Sequence, residues 1–497
     1  MKVFIFNVLL LLLFSQQAFM QNTISGIVTD ENAQPLPGAT IIVSGTNKGT
    51  TTDFDGGFTI EAKQDDILDV SYVGFQKTSI TIGANKTYKI TLQEDAAELD
   101  EIVVVGYGTQ KKVNLTGSVE MVTFKDEVNQ PVTNAGQLLY GRFSGVQLTQ
   151  SSGSPGADGS SITIRGVGTF GNRSPLVIID NIQYDDLTAF NSLAPQDIAS
   201  ISVLKDAAAL SIYGSRAANG VILVTTRGGE NNKFDISYNT YYGVQDVTVK
   251  PKFLGAFDYA TLMNEKFRNE DGPGFQPRYT EEQLQAIRTG SLPNQFSDTD
   301  WADIVLKQAS IQNHNISFSG GSEKTTYRVS LGYLGQDAIV KSKLKFERYN
   351  LSLNINSKLK DWFTLSSVTN AFWRHNEGPT GGQGAFDGDN GIIYSFQRTA
   401  PTIPLFLSNG EYAVVDGAWQ NSNFSFPTQN PLRRGFLGNF ESDAINISQR
   451  IGATIQLSKN LTFETSGSAN LIYNNTSDFN PTDTTFDYDG VLVGQTI

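Results

Sequence analysis

The sequence predicts a mainly β chain in three successive parts: a small β-sandwich, an α/β module, and a run of long antiparallel strands with one polar and one apolar face. Three observations carry that prediction. Residues 23–94 hold short β-forming runs separated by Gly, Pro, Asn and Asp turn signals. Residues 204–226 set helix formers, a Gly/Asn turn and a β-branched run in immediate succession. Beyond residue 230, apolar and polar residues alternate over long stretches, which places one set on each face of a strand.

Composition narrows the class. A chain of 497 residues exceeds one ordinary domain, and length alone suggests roughly three. The 50 Asp+Glu outnumber the 37 Lys+Arg, a formal net charge of −13. That balance argues against a nucleic-acid partner, because phosphate binding needs a basic footprint. There is no cysteine, so neither a disulfide frame nor a lipidated N-terminal Cys can form. The 47 Gly, 31 Phe and 18 Tyr suit strands and turns with aromatic belts. Residues 1–20 read as a secretory signal: Lys2 is the positive start, 3–14 are apolar apart from Asn7, and 15–20 are more polar. Cleavage is expected near Met20 and Gln21. No later stretch reaches the roughly 18 apolar residues of a membrane helix, which excludes a helical membrane protein but not a membrane β-barrel.

The sandwich strands are expected at 24–28, 39–43, 57–62, 67–72, 78–82 and 88–92. Asp53-Phe-Asp55-Gly56 has the look of a calcium loop, but Gln64 stands where an EF-hand needs Glu, so a hairpin turn is the reading. Residues 95–100 form an acidic linker. Then Glu101, Ile102, Val103, Val104 and Val105 lead into a Gly-rich, basic exit ending at Lys112. An apolar strand between flexible polar segments has little of its own to bury against. Its open edges suit addition to a partner's sheet, the other reading being one more strand of the neighbouring domain.

Residues 113–229 read as α+β. Gly166-Val-Gly168-Thr-Phe-Gly171 is formally G-x-G-x-x-G, but a dinucleotide site needs a helix to start there. Asn172-Arg-Ser-Pro175 and another strand follow instead, so the nucleotide reading is rejected. Residues 204–210 predict a short helix, 213–220 a tight turn and Val221–Thr226 a buried strand.

The alternation after 230 is explicit in Phe234, Ile236, Tyr238, Thr240, Tyr242 and Val244. It returns in Tyr327, Val329, Leu331 and Tyr333, in Tyr349, Leu351, Leu353 and Ile355, and in Ile451, Ala453, Ile455 and Leu457. The other face is Asn, Ser, Thr and Arg. A soluble sandwich with one wet face fits this alternation as well as a barrel wall does. Residues 362–373 hold no single phase, which predicts a bulge. Residues 250–315 and 374–444 read as long polar loops with one short helix at 281–289. The second carries Tyr394, Phe396, Phe406, Tyr412, Trp419, Phe424 and Phe426, which either hold the loop together or anchor a ligand.

Catalytic patterns are missing. There are two histidines, His314 and His375, and no H-E-x-x-H, G-x-S-x-G or phosphate-cradling G-x-x-x-x-G-K-[ST]. Asp387-Gly-Asp-Asn-Gly391 lacks the calcium-binding Glu, since position 398 is Arg. The expectation is therefore no enzyme, no metal and no cofactor.

One resemblance covers more than a hundred residues. IASISVLKDAAALSIYGSRAANGVILVTTRGG, residues 198–229, resembles the end of the plug domain in the SusC/RagA family of TonB-dependent outer-membrane transporters. The likeness reaches back through Gln137-Leu-Leu-Tyr-Gly-Arg-Phe-Ser-Gly-Val146, Ile162-Thr-Ile-Arg-Gly166 and Pro175-Leu-Val-Ile-Ile-Asp180. On this match the plug-motif residues are Arg165, Gly166, Asp180, Lys205, Asp206, Tyr213, Gly214, Asn219 and Gly220. Asn181 stands where the family has Gly, at a turn where Asn tolerates left-handed geometry. GIVTDENAQPLPGATIIVSGTNKGTTTDFDGGFTI, residues 26–60, resembles the carboxypeptidase regulatory-like domain, and LDEIVVVGYGTQKK, residues 99–112, resembles the TonB-box region.

The resemblance implies a domain plan. Residues 1–20 are a signal peptide, 23–94 a carboxypeptidase regulatory-like sandwich and 95–112 a linker with the TonB box. Residues 113–229 are the α/β plug, and 230–497 the first part of a transmembrane β-barrel that has 22 strands in the family. Six to eight strand candidates follow residue 229, and a barrel with open edges leaves unpaired backbone groups costly in lipid. The sequence therefore reads as the N-terminal part of a longer transporter. The implied function is TonB-dependent import of oligosaccharides or peptides across the outer membrane of a Gram-negative, Bacteroidetes-like cell. TonB would take Glu101–Val105, a SusD-like surface lipoprotein would cover the barrel, and outer-membrane lipid would surround it. The alternatives are a siderophore or cobalamin receptor of the wider TonB-dependent class, and a secreted β-sandwich adhesin.

Overall fold

A computed structural model of the chain describes residues 23–31, 33–46, 48–72, 75–83, 85–93, 102–105, 108–111, 119–124, 131–206, 210–382, 384, 391–413, 430–486 and 492–496. The expected signal, Glu101, residues 207–209, the Asp387 loop and Trp419, Phe424 and Phe426 lie outside these residues. The chain divides into two compact units, residues 1–116 and 117–497.

The first unit contains a sandwich of two sheets. Its strands are β1 (Thr23–Thr29), β2 (Thr40–Val43), β3 (Gly49–Thr51), β4 (Gly57–Glu61), β5 (Ile67–Ser71), β6 (Thr78–Thr81) and β7 (Thr87–Thr91). They are ordered β4-β1-β7 and β3-β2-β5-β6. Alternation sends one side of each strand inward, where Ile24, Val28, Ile41, Phe58, Leu68, Val70 and Ile90 form the core. Gly26 is dictated by packing: a Cβ there would lie 2.4 Å from the Tyr88 carbonyl and 2.6 Å from the Phe58 ring. Asp53 closes a turn, its Oδ1 accepting from the amides of Asp55 at 3.0 Å and Gly57 at 2.7 Å. Six strands stand where the sequence placed them; β3, short and polar, gave no alternating signal. Beyond the sandwich, β8 (Ile102–Val105) and β9 (Gly108–Lys111) pair as an antiparallel hairpin.

The second unit holds a five-stranded sheet packed against a wall of seven strands. The inner sheet is ordered β10-β15-β16-β13-β14. Its strands are β10 (Val119–Thr123), β13 (Leu176–Ile179), β14 (Ile182–Tyr184), β15 (Ile198–Leu204) and β16 (Val221–Thr226), with β11 (Val146–Gln150) and β12 (Ser160–Ile164) paired beside it. Along β13 and β16, Val177, Ile179, Ile222 and Val224 enter one core cluster. Leu176, Ile178, Val221 and Leu223 enter another. Both faces are buried, which is why these strands read as continuous apolar runs. One expectation changes here: Leu204 closes β15 rather than opening a helix, because the β-branched run that starts at Ile198 carries the strand through it. The described part of the following turn is a 3₁₀ helix, Ser211–Ala217, broken at Gly214 with φ 65°.

The wall is a meander of seven antiparallel strands in sequence order. They are β17 (Asp235–Gln245), β18 (Ala309–Gly321), β19 (Thr325–Asp337), β20 (Lys345–Lys360), β21 (Phe363–Gly378), β22 (Asn439–Ser458) and β23 (Leu461–Phe479). A further pair, β24 (Asp483–Phe486) and β25 (Leu492–Thr496), follows. Connections at one end of the wall are tight, at 322–324, 361–362 and 459–460. At the other end they span 246–308, 338–344 and 379–438. Membrane β-barrels show this asymmetry, with short periplasmic turns and long extracellular loops. Among the described residues no helix is long and apolar enough to cross a membrane.

Two loop and strand expectations are refined. β21 pairs with β22 without interruption, and the register shift lies instead between Lys358 and Lys360 of β20. The lost phase at 362–373 has another cause: Phe372 points inward and joins the core cluster of the inner sheet. The long connections fold on themselves. They carry the expected helix Glu281–Thr289, capped by a reciprocal Thr280–Gln283 box, and also Ala256–Asp271, Trp301–Val305, Ile392–Arg398 and Pro431–Arg434. Trp301, Val305, Val340, Ile392, Phe396 and Ile403 pack there as one cluster. Phe396 thus holds the loop together, and Phe406 packs against Tyr412, their tilted rings 5.0 Å apart.

Candidate functional site

The wall separates two chemistries. On β17, Ile236, Tyr238, Tyr242 and Val244 point outward and Ser237, Asn239, Tyr241 and Gly243 inward. Tyr242 is 72 % exposed. Across the neighbouring strands an outward row runs Tyr238, His314, Tyr333, Tyr349, Trp373, with successive ring centroids 6.3, 6.2, 5.0 and 5.1 Å apart. The register explains the row: His314, Tyr333, Tyr349 and Trp373 are directly paired residues on adjacent strands. The rings keep polar tips in use, Trp373 Nε1 donating to Asp443 Oδ1 at 2.8 Å. Amphipathic rings at one height above an apolar band match the headgroup level of a bilayer.

The inner face grips the inner sheet. Arg328 of β19 donates to Asp197 at 2.8 Å, with both side chains almost fully buried. Arg348 and Asn350 of β20 donate to the carbonyls of Asn191 at 3.2 Å and Ser192 at 2.6 Å. Asn370 of β21 donates to Asp180 Oδ2 at 3.1 Å. Gly156, φ +72°, sits so close to Phe346 of β20 that a Cβ would lie 2.3 Å from its ring. From the alternation alone these inward positions read only as a wet face of Asn, Ser, Thr and Arg. Their signal was present, as Arg328 and Arg348 interrupting runs of Ser, Asn and Gly on the inward phase.

The plug-motif residues split into groups. Arg165, itself left-handed at φ 56°, donates to the Lys205 carbonyl at 3.0 Å and to Asp206 at 2.5 Å. Lys205, buried, donates to the Glu120 carboxylate and to the Ser144 carbonyl, so β10 is tied to the end of β15. The Lys205 ammonium, with the Ser144 hydroxyl, holds the Glu120 carboxyl below its ordinary range. Gly166, φ +85°, turns the chain after Arg165. Gly220, φ +93°, leaves no room for a Cβ, which would lie 2.7 Å from Ile164. Asn219 donates to the Asn172 carbonyl at 2.8 Å, and Tyr213 is buried beside Gly214.

Asp180 lies apart from that group. With Asn181 it forms the two-residue turn between β13 and β14, at φ 49° and 67°. Positive φ at both central positions is what such a hairpin requires, so Asn serves at 181. Asp180 accepts from the Thr226 amide at 2.9 Å and hydroxyl at 2.8 Å, while burial pushes its carboxyl up. Nothing brings Arg165, Lys205 and Asp180 into one pocket; they fasten the inner sheet at different points. Ile102–Val105 stand in β8, paired with β9.

Comparison with known proteins agrees with this architecture. Residues 24–104 match the CarboxypepD_reg-like domain, and residues 111–221 match the TonB-dependent Receptor Plug Domain. The chain is 37% identical to TonB-dependent receptor P26 of Formosa agariphila over 93% of its own length and 45% of that protein's. It is 33% identical to TonB-dependent receptor SusC of Bacteroides thetaiotaomicron over 86% of its length and 41% of that protein's. It superposes on the RagAB peptide importer in its open-open state with a TM-score of 0.61 at 25% identity, covering 79% of this chain and 44% of that one. The chain thus spans less than half the length of these relatives. They are receptors and transporters rather than enzymes, and they place this chain in the outer membrane. Inner sheet, strand wall and family matches together identify it: the chain belongs to the SusC/RagA family of TonB-dependent receptors.

Proposed function

We propose that the protein imports oligosaccharides or peptides across the outer membrane, driven by TonB and partnered by a SusD-like surface lipoprotein. The observation that carries this reading is the plug bolted by buried polar bonds inside a wall whose outer face is apolar and aromatic-belted. Such a wall offers a route through the membrane, and such a plug keeps it shut until work is done on it. TonB takes Glu101–Val105 by strand addition, since a short apolar strand next to a linker presents backbone donors and acceptors to a partner edge. The relative named a peptide importer supports the peptide half of this reading.

Deletion of residues 101–106 tests the coupling. Uptake is expected to fall to background while cell-surface binding of the same solute survives; unchanged uptake would overturn the reading. Growth on a glycan or a peptide as sole carbon source, set beside growth under iron starvation, separates this cargo from a siderophore.

A further inference from the structure

The outer face of the wall is not evenly filled. Two rows of directly paired residues cross it. The aromatic row holds His314, Tyr333, Tyr349 and Trp373. The next outward row, two residues along each strand, holds Ile316, Leu331, Leu351, Ala371 and Ile447. Ala371 is the short member, the direct partner of Leu351 on one side and Ile447 on the other. Its methyl leaves a notch beside the stacked rings of Tyr349 and Trp373, whose centroids are 5.1 Å apart.

A groove of about 560 Å³ follows these two rows and takes in Ala371. Among the described residues that line it there is no Asp, Glu, Lys or Arg. It reaches from Tyr238 on β17 to Ile447 on β22. Five strand spacings of about 4.8 Å make that roughly 24 Å. One leaflet of bilayer hydrocarbon is about 15 Å deep, so an acyl chain fits within the run. β18 to β22 each have a paired strand on both sides, so the notch is not the product of an open edge.

Polar groups gather on one side of the groove. Beyond the aromatic row, toward the long connections, the same outward phase carries Glu347, Asp443, Glu377 and Glu441, with Lys345 and His375. Lys345 is taken by Glu347 at 2.9 Å, and His375 by Asp443 at 2.9 Å. Glu377 and Glu441 stand directly opposite each other. Like charges so placed are destabilising, and a cation between them removes the repulsion. The rim thus sets four carboxylates against one ammonium.

Lipid tails are as apolar as Leu, so hydrophobic burial does not select among them in a bilayer. Packing and polar contacts do. A chain laid in the notch gains close contacts that a flat wall does not offer. A headgroup beyond Trp373 then meets a rim that repels a lone phosphate and attracts an ammonium.

We infer that the groove at Ala371 seats one acyl chain of an outer-membrane lipid whose headgroup carries an ammonium, held against Glu377 and Glu441. The inference needs the outer-membrane placement of the chain and nothing of its cargo, so it stands or falls apart from the import reading.

The full-length receptor, wild type or altered at the chromosomal gene, is purified from its own membrane. It is reconstituted in vesicles of phosphatidylethanolamine and phosphatidylglycerol in equal parts, with identical acyl chains. Lipid kept through mild detergent extraction is counted by native mass spectrometry. Wild type is expected to keep one phosphatidylethanolamine, at least tenfold over phosphatidylglycerol. Ala371→Phe fills the notch and should lower retention at least tenfold. If that variant loses the heat-modifiable migration of a folded barrel, Ala371→Ile carries the test, since it fills less and suits a strand. Glu377→Gln combined with Glu441→Gln should keep one lipid and lose the headgroup preference. Equal retention by wild type and the filled notch would mean lipid spread over the whole wall, and overturns the groove. A preference for phosphatidylglycerol that a chelator abolishes would put a phosphate and a divalent cation at the rim, and overturns the ammonium. If wild type keeps no lipid and Ala371→Phe splits a two-receptor particle into single ones, the face is a contact between copies and the lipid assignment falls.

Discussion

The sandwich of residues 23–93 and the strand wall of residues 235–479 are written in the same period-2 alphabet and bury opposite faces. In β2, Ile41 is fully buried and its neighbour Ile42 is 42 % exposed. In β20 the order is inverted: Leu351 is 38 % exposed, while the adjacent Ser352 is 4 % exposed. The strands obey the same backbone geometry, and what differs is what lies opposite each face. The sandwich finds a second sheet and makes a dry apolar core. The wall finds a plug on one side, studded with carbonyls and Asp197, and turns an exposed apolar, aromatic face away from it on the other. Alternation therefore reports that a strand has two faces, and the partner decides which face is interior.

The comparison is broken most forcefully at the inner face of the wall. Arg328→Ala leaves Asp197 buried without its partner, a loss of about 3–5 kcal/mol. The thermal transition of the second unit should drop, and amides of β15 should exchange faster. If Arg328→Ala leaves both unchanged, the polar inner face is wet lining rather than a core. Next in size, Leu68→Ala in the sandwich should cost about 2–5 kcal/mol, since that side chain is fully buried between two sheets. Leu351→Ala in the wall should change stability far less in lipid vesicles. Equal losses at the two positions would mean that Leu351 packs against protein.

A charge sharpens the same contrast. Leu351→Arg puts a cation on the outer face of β20 among Leu331 and Ile447. In a bilayer the expected cost is about 2–4 kcal/mol near the midplane and close to nothing near the interface. Folding into vesicles across a urea series reads it, with Lys345→Arg at the strand end as the reference. A cost below about 0.5 kcal/mol would place Leu351 in water or at the interface and overturn a position near the midplane.

How much of this was legible depended on whether the signal was local. The sandwich strands, the helix at 281–289 and the outward sets of β17, β19 and β20 follow from period, turn chemistry and caps, and all stand close to where the residues put them. The Asp180-Asn181 turn was legible as well, because a two-residue hairpin restricts its own sequence. Contacts between distant segments were not legible. Phe372 looked like an error of phase until the inner sheet was found against it, more than a hundred residues earlier in the chain. Arg328, Arg348 and Asn370 read as no more than a wet face, because the acceptors they satisfy, the Asp197 carboxylate, the Asn191 carbonyl and the Asp180 carboxylate, lie on segments with no pattern in common. The start expected for the helix at 204 was misplaced for a related reason: Leu204 is paired in the inner sheet, and the first described helical bond of the run is that of the Leu210 amide to the Asp206 carbonyl at 3.0 Å.

The smallest effect tests the tie on the first strand of the plug. Glu120 pairs with buried Lys205 and lies partly in solvent, so screening trims its contribution to about 1 kcal/mol or less. Its carboxyl is held below the ordinary range, chiefly by the bond from Lys205. A depressed acid stabilises the fold above the unfolded-state value, near 4.3, and that stability is lost as pH falls through the folded value. Wild type should therefore exceed Glu120→Gln in stability at neutral pH. The gap should close as the medium is acidified below about pH 4, where both carry a neutral side chain at 120. Hydrogen exchange of the β10 amides against those of β16 reads it locally. If β10 in Glu120→Gln exchanges like wild type at neutral pH, the ladder with β15 alone holds the strand. The inner edge of the plug would then resist tension by backbone pairing only, as the exposed strands of a sandwich do.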